Sequence, residues 1–177
     1  MSKSLRIRLA HREDIEAIQH IERQAGRAFD AVNMHSVAED APPPASELEK
    51  FIVARHAWVV APPDGQAVAY ILVVVMDGNA HIEQVSVAPS AAGQRLGARL
   101  IDHVESWARS RGLKRLTLTT FADVPWNAPY YERLGFQRVA DDTAGVGLQR
   151  VRAAEAAAGL DRWPRVCMTR QISTTKH

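Results

Sequence analysis

A single cysteine, Cys167, leaves no partner for an intramolecular disulfide and no ligand set for a cysteine-rich metal site, so a reducing cytoplasm is the expected setting. A dominant sign of charge is also missing. Twenty-two Lys and Arg face 20 Asp and Glu, a net +2 that lacks the basic excess of a duplex-DNA binder, and no nucleic-acid partner is expected. Long apolar runs are absent too: the longest, Ala67 to Met76, is half of the roughly 20 residues that a membrane helix requires. Met1 to Arg12 alternates Leu and Ile with Arg and never builds the apolar core of a signal peptide, so no membrane association is expected. His11, His20, His35, His56, His103 and His177 show no metal-ligand spacing with one another or with Cys167, which predicts no metal. There is no Gly-x-Ser-x-Gly elbow, no Gly-Lys-Ser/Thr ending of a P-loop and no Gly-x-Gly-x-x-Gly fingerprint.

What remains is an ordinary globular composition, 46% apolar and 24% charged over 177 residues, expected to form one domain over residues 1–177. Leu5 to Leu9 alternates apolar and charged residues as a strand with one wet face does. Ile15, Ile18, Ile21 and Ala25 recur at helical spacing. Asp30 to Ala45 reads as a loop ending in prolines, and Ser46 with Glu49 forms a capping-box pattern ahead of a helix with Leu48, Phe51 and Ile52 on its buried stripe. Trp58 to Ala61, Gln66 to Met76 and Ala80 to Val87 read as three consecutive strands separated by Pro62-Pro63-Asp64-Gly65 and Asp77-Gly78-Asn79. A long helix follows from Gln94 to Arg111, with Leu96, Leu100, Ile101, Val104 and Trp107 on one face and Gly112 as its stop. Then come a strand from Leu113 to Phe121, a short helix with Tyr130 to Leu134, a strand from Phe136 to Ala140, a helix around Leu148 to Ala158 and a strand from Arg165 to Ile172. This order predicts an α+β fold with a mixed, mostly antiparallel central sheet of about seven strands flanked by helices.

The most informative stretch joins a strand to the long helix: Val87-Ala88-Pro89-Ser90-Ala91-Ala92-Gly93-Gln94-Arg95-Leu96-Gly97-Ala98. The first turn of a helix leaves about four amides without intrahelical partners, and glycines let backbone approach phosphate oxygens closely. The stretch suits a pyrophosphate, and equally a plain turn that caps a helix.

These residues resemble the acyl-CoA pyrophosphate loop of the GNAT N-acetyltransferase superfamily, written Arg/Gln-x-x-Gly-x-Gly/Ala. Tyr130-Tyr131-Glu132-Arg133-Leu134-Gly135-Phe136 resembles the family's Phe-Tyr-Glu-Lys-x-Gly-Phe ending, and the element order is also the family's. The resemblance implies acetyl-CoA as cosubstrate, transfer of its acetyl group to a small primary amine in a ternary complex, and no metal. A protein or peptide amine as acceptor, or a non-catalytic acyl-CoA-binding module, are the other readings. It assigns the Val85 amide to the thioester oxygen, Val85 and Val87 to the pantetheine, and Gly93, Gln94, Arg95, Gly97 and Ala98 to the pyrophosphate. Two residues depart from the pattern: Ala92 replaces the usual Arg or Gln, and Arg95 the first glycine. Arg95 is expected to take helical dihedrals, with Arg95 or Arg99 supplying the missing charge. Asn127 matches either a pantetheine-contacting asparagine or a plain N-cap.

Period-two geometry puts His81, Glu83, Val85 and Val87 on one face of their strand and Ala80, Ile82, Gln84 and Ser86 on the other. Glu83 is placed to act as general base, directly or through a water, and His81 to relay the proton or act as base itself. The bland alternatives are a solvent-facing or arginine-paired Glu83 and a partly exposed strand-end His81. Resemblance makes Tyr131 the acid that protonates the departing thiolate, which its ordinary pKa of about 10 permits, and leaves Tyr130 as core. Asp123, Trp126 and the loop from Asp30 to Ala45 are candidates for acceptor recognition. Exposed sheet edges of this kind can also pair into a homodimer.

Overall fold

Arg6 and Arg8 alternate with Ile7 and Leu9 in β1 (Arg6–Leu9), which lies antiparallel to β2 (Ala57–Ala61) in the computed structural model, where residues 4–173 are described. β2 pairs antiparallel with β3 (Ala69–Met76) through Trp58↔Ile71 and Val59↔Tyr70. β4 (Asn79–Val87) follows the Asp77-Gly78 turn and pairs in parallel with β5 (Arg115–Phe121) through Ala80↔Leu116 and His81↔Thr117. β5 runs antiparallel to β7 (Arg165–Gln171) along its full length, and β7 to β6 (Gln137–Val139). The strand order is β1-β2-β3-β4-β5-β7-β6, mostly antiparallel, which bears out the α+β expectation.

The chain divides into two compact units, one of residues up to Val73 with Gln84–His103, the other of Val74–Glu83 with the residues from Val104 on. In the first, α1 (Ile15–Gly26) and α3 (Ala45–Ala54) bury Ile18, Ile21 and Leu48 against Val59, Tyr70 and Leu72. The chain enters α1 through a pattern not read from the sequence. The His11 amide donates to Asp14 Oδ2 at 2.8 Å while Arg8 grips the same carboxylate with two bonds of 2.7 and 2.9 Å. Burial alone would raise the Asp14 pKa, but these donors outweigh it and hold the carboxyl below its usual range.

Two local expectations are corrected. Ser46 and Glu49 form no capping box, because α3 starts two residues earlier: Pro44 is the N-cap, its carbonyl accepts from Glu47 and Leu48, and Glu49 instead pairs with Arg12 at 2.6 Å. Asp30 to Ala45 is not all loop. Buried Met34 anchors it, and α2 (His35–Ala38) forms behind the Met34 carbonyl, which accepts from Val37 and Ala38.

α4 (Leu96–Ser110) begins in the first unit and ends in the second, with Leu96, Leu100, Ile101, Val104 and Ala108 buried. Trp107 is only half-buried, with the Arg111 guanidinium 4.8 Å from its ring centre, and Ala108 takes the place on the buried stripe expected of it. The second unit also holds α5 (Ala128–Arg133) and α6 (Val146–Ala157). α6 is capped from afar: Asp77 accepts from the Gly147 amide at 3.0 Å and the Leu148 amide at 3.2 Å. A side chain at Gly145 would meet that carboxylate at 2.4 Å, so glycine is required where the turn approaches so closely. Glu155 of α6 lies between Arg152 (3.1 Å) and Arg165 (2.8 Å), three side chains with little exposure that tie α6 to β7. Among the described residues, no helix is long and apolar enough to cross a membrane.

Candidate active site

β4 carries in succession Glu83, Val85 and Val87, the residues expected to serve as base, as oxyanion-binding amide and as pantetheine contacts. The bland alternative for His81, a partly exposed strand-end histidine, does not hold: it is 2% exposed, because β4 is an interior strand and His81 sits within the ladder, opposite Thr117. Its Nδ1 lies 3.0 Å from Thr117 Oγ1. Burial pushes the imidazole down to about 4 against the charges of Glu155 and Asp77, so at neutral pH it is uncharged and a weak base. Glu83 shares its face, as period-two geometry requires, with Oε2 3.8 Å from His81 Nε2 and a 44%-exposed side chain. Of this pair, Glu83 is the group solvent can reach. Val85 and Val87 are half-buried and belong to the first unit, together with the loop that follows.

That loop turns through a short 3-10 segment, Pro89–Ala91, and then through two left-handed residues, Gly93 at φ +82° and Arg95 at φ +56°. The expectation that Arg95 is helical is overturned. It sits one residue ahead of α4, where its carbonyl accepts from the Arg99 amide at 3.0 Å, and its backbone has the conformation that glycine favours. The amides of Leu96, Gly97 and Ala98 follow in the first turn of α4, where intrahelical acceptors are lacking. Gly93, Gln94 and Arg95 are exposed. Arg99 donates to the Leu5 carbonyl at 3.2 Å. Because an L-residue is strained in the left-handed region, Arg95→Gly is expected to raise stability by about 0.5–1 kcal/mol in urea unfolding. An unchanged or lower stability would show that the Arg95 side chain offsets its backbone strain.

In the second unit, Tyr130 to Phe136 has a local physical explanation. Gly135 takes φ +90°, its amide donates to the Glu132 carbonyl and the Phe136 amide to the Tyr131 carbonyl, both at 3.0 Å, a Schellman ending for α5. The contact that accompanies such an ending is the edge-on packing of the Tyr131 and Phe136 rings, 5.8 Å apart. Arg170 donates to the Leu134 carbonyl at 3.0 Å and stands 5.3 Å from the Phe136 ring. The expected division between the tyrosines is reversed in burial: Tyr131 is 9% exposed, while Tyr130 is half-buried beside Arg133. The aromatic contact of the Schellman ending draws in Tyr131. A side chain at Gly135 would meet nothing closer than 3.6 Å, so Gly135→Ala is expected to cost the backbone strain alone, about 1–2 kcal/mol, read by thermal or urea unfolding.

Asn127 is the N-cap residue of α5, but its side chain does not cap: Nδ2 donates to the Trp126 carbonyl at 3.2 Å, and Oδ1 is buried with no hydrogen-bond partner. Asp123 and Trp126 are exposed. Among the described residues, no group of three or more His, Cys, Asp and Glu side chains is placed to hold a metal, and His177 lies outside them. Cys167 is buried, and burial together with its bond to Asp141 pushes the thiol up to about 12.

A family model described as Acetyltransferase (GNAT) family matches residues 16–136, more than half of the chain. The chain belongs to the GNAT acetyltransferase family. Within it, the chain is 26% identical over 122 residues to an IAA acetyltransferase of Azospirillum brasilense, covering 69% of this chain and 75% of that one. Among solved structures it resembles a GNAT acetyltransferase of Staphylococcus aureus, with TM-score 0.73, 11% identity, and coverage of 96% of this chain and all of that one. It also resembles the N-acetylglutamate synthase of Neisseria gonorrhoeae in complex with coenzyme A and N-acetyl-glutamate, with TM-score 0.69 and 19% identity. That match covers 98% of this chain, but the chain spans only 36% of the length of the synthase. At such identities the solved structures show the fold alone.

One polar constellation of this GNAT chain was not read from the sequence. Glu22 of α1 accepts hydrogen bonds from Tyr70 of β3 and, at 2.9 Å, from Ser86 of β4, and Gln84 Nε2 lies 3.3 and 3.4 Å from its two oxygens. Helical periodicity places Glu22 beside buried Ile18 and Ile21, but no local pattern pairs it with residues 48 to 64 positions downstream.

Proposed function

We propose that residues 1–177 act as one acetyltransferase domain that moves the acetyl group of acetyl-CoA to the primary amine of a small molecule, directly, in a ternary complex. The observation that carries this reading is the course of the chain after the β4–β5 ladder. Beyond His81, β4 runs on to Val87 and then, through the left-handed Gly93 and Arg95, into the unpaired amides of α4. Extended backbone followed by a helix N-terminus suits an elongated amide-bearing chain that ends in a pyrophosphate.

In this reading Val85 and Val87 present backbone to the pantetheine, and Gly93, Gln94, Arg95, Gly97 and Ala98 hold the pyrophosphate. The Val85 amide stabilises the developing oxyanion. Glu83 takes the amine proton, directly or through a water, and Tyr131 returns a proton to the thiolate. His81, buried and uncharged, supports the Glu83 face of β4 and is the weaker candidate base. The orphaned Oδ1 of Asn127 is the acceptor that a pantetheine amide would satisfy. The cytoplasmic setting proposed here follows from the single cysteine.

The test is twofold. Acetyl-CoA at about 100 times its dissociation constant is expected to raise Tm by about 5 °C or more, and free thiol is expected to appear when amines are added. No thermal shift would sink the reading. A shift without turnover of any amine would leave an acyl-CoA-binding module.

A further inference from the structure

The two ring nitrogens of His81 have different neighbours. Thr117 Oγ1 lies 3.0 Å from Nδ1, Glu83 Oε2 lies 3.8 Å from Nε2, and both His81 and Thr117 are buried. All three residues belong to the second unit, so their placement is that of one compact body. An uncharged imidazole carries its proton on one nitrogen only. Were that nitrogen Nδ1, it would donate to Thr117. The buried Thr117 hydroxyl would then have no acceptor among the described residues, and the Nε2 lone pair would face a carboxylate oxygen. With the proton on Nε2, the Thr117 hydroxyl donates to Nδ1 and an N–H faces Glu83. The second arrangement satisfies the buried hydroxyl and turns a repulsion into an attraction.

The other charges felt by His81 are already engaged. They are Glu155 of α6 and Asp77 of the β3–β4 turn, which act on the imidazole against its burial. Glu155 is held by Arg152, by Arg165 and, at 2.7 Å, by the hydroxyl of Thr119, two residues along β5 from Thr117 and on the same face. Asp77 accepts from the Gly147 and Leu148 amides. Glu83 is the carboxylate at close range to Nε2. At 3.8 Å the contact is longer than a hydrogen bond, and acts as the attraction of a fixed N–H dipole for a carboxylate beside a dry interior.

We infer that Thr117 positions the base of the proposed transfer: its hydroxyl, donated to His81 Nδ1, keeps the imidazole proton on Nε2, and that N–H holds Glu83 Oε2 so that Oε1 is left for the acceptor amine. This rests on the proposed acetyltransferase reading, with Glu83 as its base. The amine proton passes to Glu83 Oε1, directly or through a water, while the Nε2 proton stays on His81. His81 thus orients the base and takes no proton itself, and Thr117 acts through His81 as a positioning residue.

Nitrogen NMR of the full chain with labelled histidines tests the arrangement without turnover, His81 being assigned by the signals missing from His81→Gln. At neutral pH, Nε2 is expected to be protonated and Nδ1 to be a hydrogen-bonded acceptor. In Thr117→Val, Nδ1 is expected to move to the position of an acceptor without a donor. Thiol release from acetyl-CoA, with n-butylamine and 2-phenylethylamine as acceptors, reads the consequence. Thr117→Val is expected to lower kcat about 10-fold, a fraction of what a positioned general base contributes, with the KM and the Tm rise for acetyl-CoA unchanged. Thr117→Ser keeps the hydroxyl and is expected to recover most of that loss, whereas a role in packing alone would lower stability and spare kcat. Should Thr117→Val fail to fold, Thr117→Ala and the wild-type spectrum take its place. A proton on Nδ1, an Nδ1 signal indifferent to loss of the hydroxyl, or full kcat without it would each overturn the inference. All three leave the acetyl-CoA thermal shift, and with it the broader reading, intact. Loss of that shift in the wild type, or no thiol release with any amine, would instead strike the broader reading and this inference with it.

Discussion

Tyr131→Phe is expected to lower kcat by about 100-fold or more, the lower end of what a positioned general acid contributes, with the KM and the thermal shift for acetyl-CoA nearly unchanged. The substitution removes one oxygen and leaves the ring. That ring packs edge-on against Phe136, 5.8 Å away, and Tyr130, 5.3 Å away, and phenylalanine preserves both contacts together with the Schellman ending at Gly135. A fall in kcat would therefore report chemistry and not misfolding. Without the phenol, the thiolate must take its proton from water, so the loss should shrink when the leaving thiol is made more acidic. Normal turnover in the variant would remove Tyr131 from the acid role.

A second large effect lies in the pH dependence of stability. His81 is buried and uncharged in the folded chain, at about 4, against an ordinary 6.5 when unfolded. Between these values the unfolded state binds the proton and the folded state does not. The stability contributed by the neutral imidazole is therefore full above pH 6.5 and is lost as pH falls from about 6.5 towards 4. The difference corresponds to about 3 kcal/mol at the acid end. Asp14, whose folded pKa lies below the usual carboxylate range, loses its share of stability only at lower pH and does not blur the window. Urea unfolding at pH 7 and pH 4.5 is expected to show a steep loss for wild type and a markedly smaller one for His81→Gln, which carries no titrating group. Parallel losses in the two proteins would mean that His81 is protonated without cost in the fold.

Much of the fold can be read from local pattern. The isoleucines of α1 recur at helical spacing and are buried, and Leu96, Leu100, Ile101 and Val104 behave likewise in α4. The Asp77-Gly78 turn, with both residues at positive φ, stands where the sequence places the turn between β3 and β4. The structure departs from local pattern where a signal has a competitor a few residues away. Ser46 and Glu49 match a capping box, but Pro44, extended and with its carbonyl free to accept, starts the helix first. Arg95 is an ordinary helix former by propensity, yet the loop turns into α4 at that residue and imposes a left-handed backbone.

The candidate site was legible in proportion to how local its parts are. The Tyr130 to Phe136 segment is a self-contained helix ending, set by a glycine and two aromatic rings, so its residue types carry their own explanation. The loop from Pro89 to Ala98 is likewise a strand end, two sharp left-handed residues and a helix start, all within ten residues. Alternation along β4 correctly put His81 and Glu83 on one face, where they lie 3.8 Å apart. It could not say that His81 is sealed from solvent, since that depends on Thr117 arriving alongside from a different strand.

By itself, then, the sequence determined the order of elements, the mostly antiparallel α+β class, and the two segments that tie the chain to the GNAT acetyltransferases, because periodicity, turn chemistry and helix ends act over a few residues. Only the tertiary structure decided the state of the charges. It made His81 neutral, capped α6 with Asp77, gave Glu155 two arginines, and gave Glu22 three neutral donors and, among the described residues, no cation. Each outcome depends on groups brought together from distant positions and on how much water is excluded around them, and neither quantity is written in any local stretch of the chain.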